Sequence, residues 1–305
     1  MAAFPAVSLI GAPTDVGASV RGAGMGPDAL RVAGLAEALR AQGLQVTDLG
    51  NLAGPPNPGL TPEAGVRHLP EVVAWNRAVF EAVDAALGRG HFPLLMGGDH
   101  CLAIGSISAI ARHCRRQGRR LRVLWLDAHT DVNTEAISPS GNLHGMPVSC
   151  LLGHGPSQLT GWSGEVAALA AGDLDFIGIR SVDAQEKQEI RQLGLQVFDM
   201  RHIDEHGMLR TMAEALHDID EDTHLHVSFD LDCLDPADAP GVGTAVRGGP
   251  TYREMQLCME MIADTGRLAS LDVVEINPAL DVRNRTAELA VDFIRSLFGA
   301  STLAR

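Results

Sequence analysis

Three short clusters of aspartate and histidine stand out in this chain, each at the end of an apolar run: Gly98-Asp99-His100, Asp127-Ala128-His129-Thr130-Asp131 and Asp230-Leu231-Asp232. One Asp-x-His pair is common as a surface or capping feature; three such groups, all just after apolar runs, describe a site. In extended chain, residues two apart point the same way, so Asp127, His129 and Asp131 share a face, as do Asp230 and Asp232. Gly97 and Gly98 permit a tight turn that brings His100 close. Four carboxylates (Asp127, Asp131, Asp230, Asp232) and two imidazoles (His100, His129), with two of the carboxylates bridging, give each of two metals about four protein ligands and leave a position between them for water. This oxygen-rich set suits Mn²⁺ better than a thiolate-bound zinc. Paired dications bring shared water to hydroxide near neutral pH, so the chemistry is hydrolysis. Asp99 and Asp235 read as turn or cap residues; Asp235 precedes Pro236, the usual opening of a first helical turn.

The elements that must position these groups alternate along the chain. Strand-like runs are Val7–Ala12, Gln45–Leu49, Phe92–Met96, Arg122–Leu126, Leu174–Gly178, Gln196–Asp199, His224–Phe229 and Leu271–Glu275. Helical patterns between them cover Pro27–Ala41, Pro70–Gly88, Cys101–Gln117, Asp183–Leu193, Arg201–Asp220, Tyr252–Thr265 and Thr286–Phe298. Such alternation predicts an α/β fold with a mostly parallel sheet and helices on both faces. The continuous Val/Leu/Ile character of the runs fits strands buried on both sides. In open parallel sheets ligands bind beyond the carboxyl ends of the strands, where all three clusters and Glu275 fall. The turn-rich stretches Ile137–Gly145 and Asp235–Gly249 each follow a metal-type cluster, as active-site loops would. No composition shift divides the chain, so residues 1–305 read as a single domain.

Composition narrows the function classes. The chain has 305 residues and a formal net charge of −14. That charge repels nucleic acid and anionic membrane, and it is compatible with a cationic small molecule. No apolar run is long enough for a membrane-spanning helix, and the N-terminus lacks the basic region of a signal peptide. The five cysteines, an odd number with no Cys-x-x-Cys, read as reduced thiols of a cytoplasmic protein.

The sequence resembles the arginase/agmatinase (ureohydrolase) family in Gly97-Gly98-Asp99-His100, in Trp125 through Asp131 and in Ser228 through Pro236, and the likeness runs from Gly11-Ala12-Pro13 to the last helix. The resemblance implies a three-layer α/β/α domain around a parallel eight-stranded sheet, assembled as trimers or hexamers. It further implies two Mn²⁺ per subunit. His100 and Asp131 would hold one, His129 and Asp232 the other, and Asp127 and Asp230 would bridge. A metal-activated hydroxide would attack a guanidinium carbon. Glu275 would hold the guanidinium by paired charge-assisted hydrogen bonds, and His144 would shuttle protons and help protonate the leaving amine. The products would be urea and an amine.

Within that family, Asp131-Val132-Asn133-Thr134 followed by Ser140 through Pro147 is similar to the arginase branch, which implies L-arginine as substrate and L-ornithine as product. Asn133, Ser138, Ser140 and Asn142 offer neutral donors for an α-carboxylate. Asp183 and Glu186 would supply the negative pole for an α-amino group, and Thr244 would line the guanidinium end. Departures from the arginase pattern are Cys101, Ser181, Val242 and Ala245, none of them a metal ligand; they leave room for an altered side-chain preference. Agmatinase and guanidinobutyrase activities therefore stay open. More remote readings are a two-metal phosphoesterase and a non-catalytic scaffold. For the former, Asn142-Leu143-His144 is one residue off the expected Gly-Asn-His spacing; for the latter, a ligand would normally be lost, and none is.

Overall fold

A computed structural model describes residues 6–164 and 167–303. Its strands are β1 (Val7–Ala12), β2 (Val46–Asn51), β3 (Phe92–Gly97), β4 (Arg120–Leu126), β5 (Leu174–Ile179), β6 (Gln196–Asp199), β7 (Thr223–Asp230) and β8 (Leu268–Val274). They form one eight-stranded sheet in the order β2-β1-β3-β8-β7-β4-β5-β6. Every pairing in it is parallel. The helices are α1 (Gly26–Val32), α2 (Leu35–Ala41), α3 (Leu69–Gly88), α4 (Ala103–Gln117), α5 (Pro147–Leu151), α6 (Glu186–Leu193), α7 (Met200–Ala215), α8 (Tyr252–Asp264) and α9 (Arg285–Leu297).

Alternation along the strands makes two cores. Leu124, Leu126, Val227 and Phe229 face one way, with apolar residues of α1, α2, α7, α8 and α9. Val123, Trp125, Leu174 and Phe176 face the other, with α3, α4 and α5. The result is the three-layer α/β/α arrangement that the pattern predicts. No helix among the described residues is long and apolar enough to cross a membrane.

One expectation is corrected locally, and one short helix is added. The single helix expected over Pro27–Ala41 is two, because Gly34 takes φ 80 between them. A residue in that left-handed region cannot continue a right-handed helix. The short α5 lies just beyond the loop Ile137–Gly145, where Pro147 at its first turn starts it.

The strand order positions the site. After β3 the chain moves across the sheet to β4 and leaves a gap that β7 and β8 later fill. The four central strands thus carry His100, Glu275, Asp230 with Asp232, and the Asp127–Asp131 cluster past their carboxyl ends, side by side. Register keeps those ends level, with Leu126 opposite Phe229 and Asp230 opposite Val274. The turn after β3 admits no side chain: a Cβ on Gly98 would overlap the Thr14 carbonyl oxygen. Gly98→Ala is therefore expected to destabilise the protein by about 1–3 kcal/mol or more, as overpacking does, and to displace His100. Chemical denaturation and metal titration measure the two effects, and wild-type values of both would refute the steric argument.

Candidate metal centre and its cavity

His100 lies in a 3-10 turn capped by Asp99, whose carboxylate accepts the Cys101 N–H. The His100 ring stacks on Trp125, with centroids 4.0 Å apart. Its Nε2 meets Ser228 Oγ at 2.9 Å. That leaves Nδ1 aimed at carboxylates: 3.1 Å from Asp127, 3.3 Å from Asp131 and 3.1 Å from Asp230. His129 Nδ1 lies 3.0 Å from Asp232 and 3.4 Å from Asp127. Two overlapping groups result, His100/Asp127/Asp230 and Asp127/His129/Asp232, with Asp127 common to both. A shared carboxylate is what a bridging ligand requires.

The chemistry of these groups fits resident dications. His100 Nδ1 is fully buried with no hydrogen-bond partner of ordinary geometry, a costly state unless a cation takes the lone pair. Burial, and then the neighbouring Asp127 charge, pushes the Asp131 carboxyl up to about 7. Burial followed by like charge from Asp232 and Asp127 raises Asp230, and burial with Asp127 raises Asp232. Burial alone would lower both histidines, but the surrounding carboxylates outweigh it and raise His100 and carry His129 up to about 12. Crowded anions that hold protons for want of positive charge are ready to exchange those protons for metal.

Trp125 and Ser228, to which the sequence alone gives no role, both orient members of these groups. Trp125 Nε1 donates to Asp127 Oδ2 at 2.9 Å, while Ser228 fixes the His100 ring. The signal was present in the spacing: each stands two residues before a cluster aspartate, Asp127 or Asp230, hence on the same face.

Beside the metal groups opens a cavity of about 280 Å³ lined by His100, His129, Asp131, Asn133, Ser140, Asn142, His144, Gly145, Ser181, Asp183, Glu186, Asp230, Asp232 and Thr244. Most of the residues expected to touch substrate therefore line one cavity, while Glu275, buried at 2% exposure, is not in the lining. Ser138 is not in that lining; its Oγ accepts the Gly141 N–H and closes the loop. Glu186 is largely committed to protein: its carboxylate accepts from Thr130 Oγ1, Val132 N and Asp183 N. Asp183 is exposed at the rim. Thr244 Oγ1 donates to Asp232 at 2.8 Å. Of the four departures, Ser181 lines the cavity.

Glu275 stands just past β8 in the left-handed region, φ 64. Such a backbone costs about 1–3 kcal/mol and persists where its surroundings hold it; here Glu275 N donates to the Gly98 carbonyl at 2.8 Å. Its Oε1 accepts from His100 N at 2.8 Å and meets His144 Nδ1 at 3.0 Å. Burial would raise Glu275, but the charge and hydrogen bond of His144 outweigh it and lower its pKa. Burial would likewise depress His144, and Glu275 reverses this to about 9. The pair is thus a carboxylate and an imidazolium at neutral pH. Asp99 and Asp235 act as caps, as expected; Asp235 accepts from Ala237, Gly248 and Gly249.

A family model described as the arginase family matches residues 5–299. The chain belongs to the arginase family. It is 44% identical to an arginase of Bacillus caldovelox over 96% of this chain and 98% of that one. It is 45% identical to an arginase of Brucella melitensis biotype 1, covering 97% of each. The solved native structure of the Bacillus caldovelox arginase superposes with a TM-score of 0.92 at 42% identity, over 98% of this chain and all 100% of the other. Membership in the arginase family makes the protein a hydrolase, and the clustered Asp and His residues of its site are those of a metal-dependent one.

Proposed function

We propose that the protein hydrolyses L-arginine to L-ornithine and urea, as a single domain over residues 1–305 with two Mn²⁺ per subunit. The observation that carries this reading is the pair of overlapping ligand groups opening onto a small cavity with acids at both ends. His100, Asp131, His129 and Asp232 would hold the metals, with Asp127 and Asp230 between them; the oxygen-rich donor set favours Mn²⁺. The dications, when bound, supply a water-derived nucleophile near neutral pH.

The remaining steps fall to the protein. Glu275 Oε1 is occupied by His100 N and His144, so Oε2 is left for the guanidinium. That oxygen lies near Gly243, where a Cβ would stand 3.7 Å away in ordinary contact. His144, with Nδ1 turned to Glu275, keeps Nε2 for the cavity, and the Glu275 carboxylate favours the protonated imidazole from which a proton would pass to the leaving amine. At the other end Asp183, backed by Glu186, accepts the α-amino group, while Asn133, Ser140 and Asn142, on a loop that Ser138 closes, receive the α-carboxylate. Cytoplasmic residence and assembly into trimers or hexamers belong to the same reading, supported by five buried free cysteines and by the family.

Two measurements test it. Urea release from arginine, agmatine and 4-guanidinobutyrate, side by side after Mn²⁺ loading, is expected to favour arginine; preference for a substrate without an α-amino group would make the protein a different ureohydrolase. Phosphate release from phosphoesters with no urea from any guanidine would move it to the two-metal phosphoesterases. Asp183→Asn is expected to raise KM for arginine about tenfold, the equivalent of about 1.4 kcal/mol, with kcat nearly kept and agmatine little affected. Equal losses on both substrates would take the α-amino role from Asp183.

A further inference from the structure

Arg180, immediately after β5, uses its guanidinium in an uncommon way. No carboxylate pairs with it among the described residues. Instead Nε donates to the Val246 carbonyl at 3.2 Å, Nη1 to Gly178 at 3.1 Å and Cys233 at 2.9 Å, and Nη2 to Asp232 at 2.8 Å, Leu234 at 3.1 Å and Val246 at 2.7 Å. One side chain thus gathers five main-chain carbonyls from three segments. Its backbone joins a fourth: the N–H groups of Arg180 and Ser181 both donate to the Ala128 carbonyl at 2.9 Å.

These segments share a purpose. Ala128 lies between Asp127 and His129, and its own N–H donates to Asp232 Oδ1 at 3.2 Å. Asp232 opens the turn that Arg180 clasps, and Val246 lies two residues beyond Thr244, whose hydroxyl donates to Asp232 Oδ2. Asp235 closes the same loop from its other side through Gly248 and Gly249. The guanidinium itself thus holds the turn that carries Asp232 and the Val246 loop against Gly178 of β5, while the tie to Ala128 runs through backbone N–H groups that any residue at position 180 other than proline would keep. None of its hydrogen bonds reaches His100, Asp131 or Asp230.

We propose that Arg180 is the positioning residue for the second metal subsite and the Thr244 wall, so that its loss empties one metal position and spares the other. The inference rests on the two-metal reading above and deepens it. Arginine is suited to the task because its planar fork offers five N–H donors in fixed directions, against three on lysine.

Sign separates this role from its competitors. A bare cation near a dication repels it, so removing a purely electrostatic Arg180 would tighten metal binding. A purely structural Arg180 would lower the melting temperature and leave metal affinity alone. A positioning role predicts weaker binding at one position only.

The test compares wild type, Arg180→Met and Arg180→Lys, each loaded with Mn²⁺, dialysed and assayed for metal per folded subunit. Far-UV circular dichroism reports folding, and kcat and KM for arginine are measured in parallel. Arg180→Met is expected to retain one metal where wild type retains two, with a large fall in kcat and a higher KM. Arg180→Lys is expected to hold the second metal about tenfold more weakly than wild type, about 1.4 kcal/mol. Two metals at wild-type affinity in either folded variant, or tighter binding, overturns the proposal. Should Arg180→Met fail to fold, Arg180→Lys decides alone. Wild type that binds two metals but releases no urea from arginine would overturn the substrate reading, while the loss of one metal from the variants would still support the role of Arg180. Wild type that binds fewer than two would overturn both.

Discussion

Asp127→Ala is expected to lose both metals and urea release together. Asp127 is fully buried and is the one carboxylate common to both ligand groups. It also accepts the Trp125 indole N–H and the His129 backbone N–H. Its removal therefore breaks the bridge and frees the two elements that orient the histidines. Groups that act as a unit lose nearly their whole effect when one is removed, so activity should fall on the order of 10⁴-fold. Elemental analysis after dialysis checks the metals. A second readout is stability. A ligand that binds only the folded state at 100 times its Kd stabilises by about 2.7 kcal/mol, so Mn²⁺ should raise the melting temperature of wild type and leave Asp127→Ala unmoved. Retention of both metals at full activity would defeat the assignment.

The same centre fixes a pH dependence for the metal-free protein. Asp131 is raised to about 7 and His129 to about 12 in the folded state. The folded protein thus keeps protons that the unfolded chain has released, and stability falls wherever that holds. For Asp131 the window runs from the ordinary carboxylate range up to about 7; for His129 it runs from the ordinary imidazole range up to about 12. Metal-free protein should therefore melt progressively lower between about pH 6 and about pH 9, and Mn²⁺ should weaken or abolish that slope. A metal-free melting temperature that rises over the same range would contradict the assigned charges.

The clustering of these aspartates and histidines was legible because a strand writes its facing into the sequence. Asp127 and His129, or Asp230 and Asp232, announce a shared side by their spacing, and the end of an apolar run announces the edge of a parallel sheet. Position along the sheet was not legible. That β7 and β8 fill the gap between β3 and β4 depends on which strands pair, which no local pattern records. Conformation at single residues was likewise hidden: nothing in Val-Val-Glu-Ile-Asn says that Glu275 is left-handed, because the Gly98 carbonyl that holds it lies far away in sequence. Arg180 was the least legible of all. Its partners are backbone carbonyls, which every residue possesses, so no residue type marks them. Donors expected for substrate divided on similar grounds. Ser138 and Ser140 both accept a loop N–H, from Gly141 and Asn142, but Ser140 and Asn142 line the cavity and Ser138 does not.

Glu275→Gln is expected to keep both metals and lose turnover by about 10²–10³-fold, the scale of removing one preorganised electrostatic contact. The substitution preserves shape and an acceptor oxygen, so the bonds from His100 N and His144 can persist and the turn carrying His100 should stay in place. What disappears is the charge. Glu275 is the first influence that counters burial in raising His144 to about 9, and without it the imidazole returns toward or below its ordinary range. The variant then loses on two counts: the guanidinium meets a neutral amide, and the proton meant for the leaving amine is absent over most of the neutral range. Lowering the pH should restore part of the second loss and none of the first. The kcat profile of Glu275→Gln should therefore shift toward acid, while KM for arginine stays high throughout. Departure of a metal from Glu275→Gln would make the residue a ligand, and an unshifted profile would uncouple it from His144. A His144→Asn variant separates the contributions: on the proposed roles it should lose kcat with little change in KM, since it removes the proposed proton donor and leaves the Glu275 carboxylate in place.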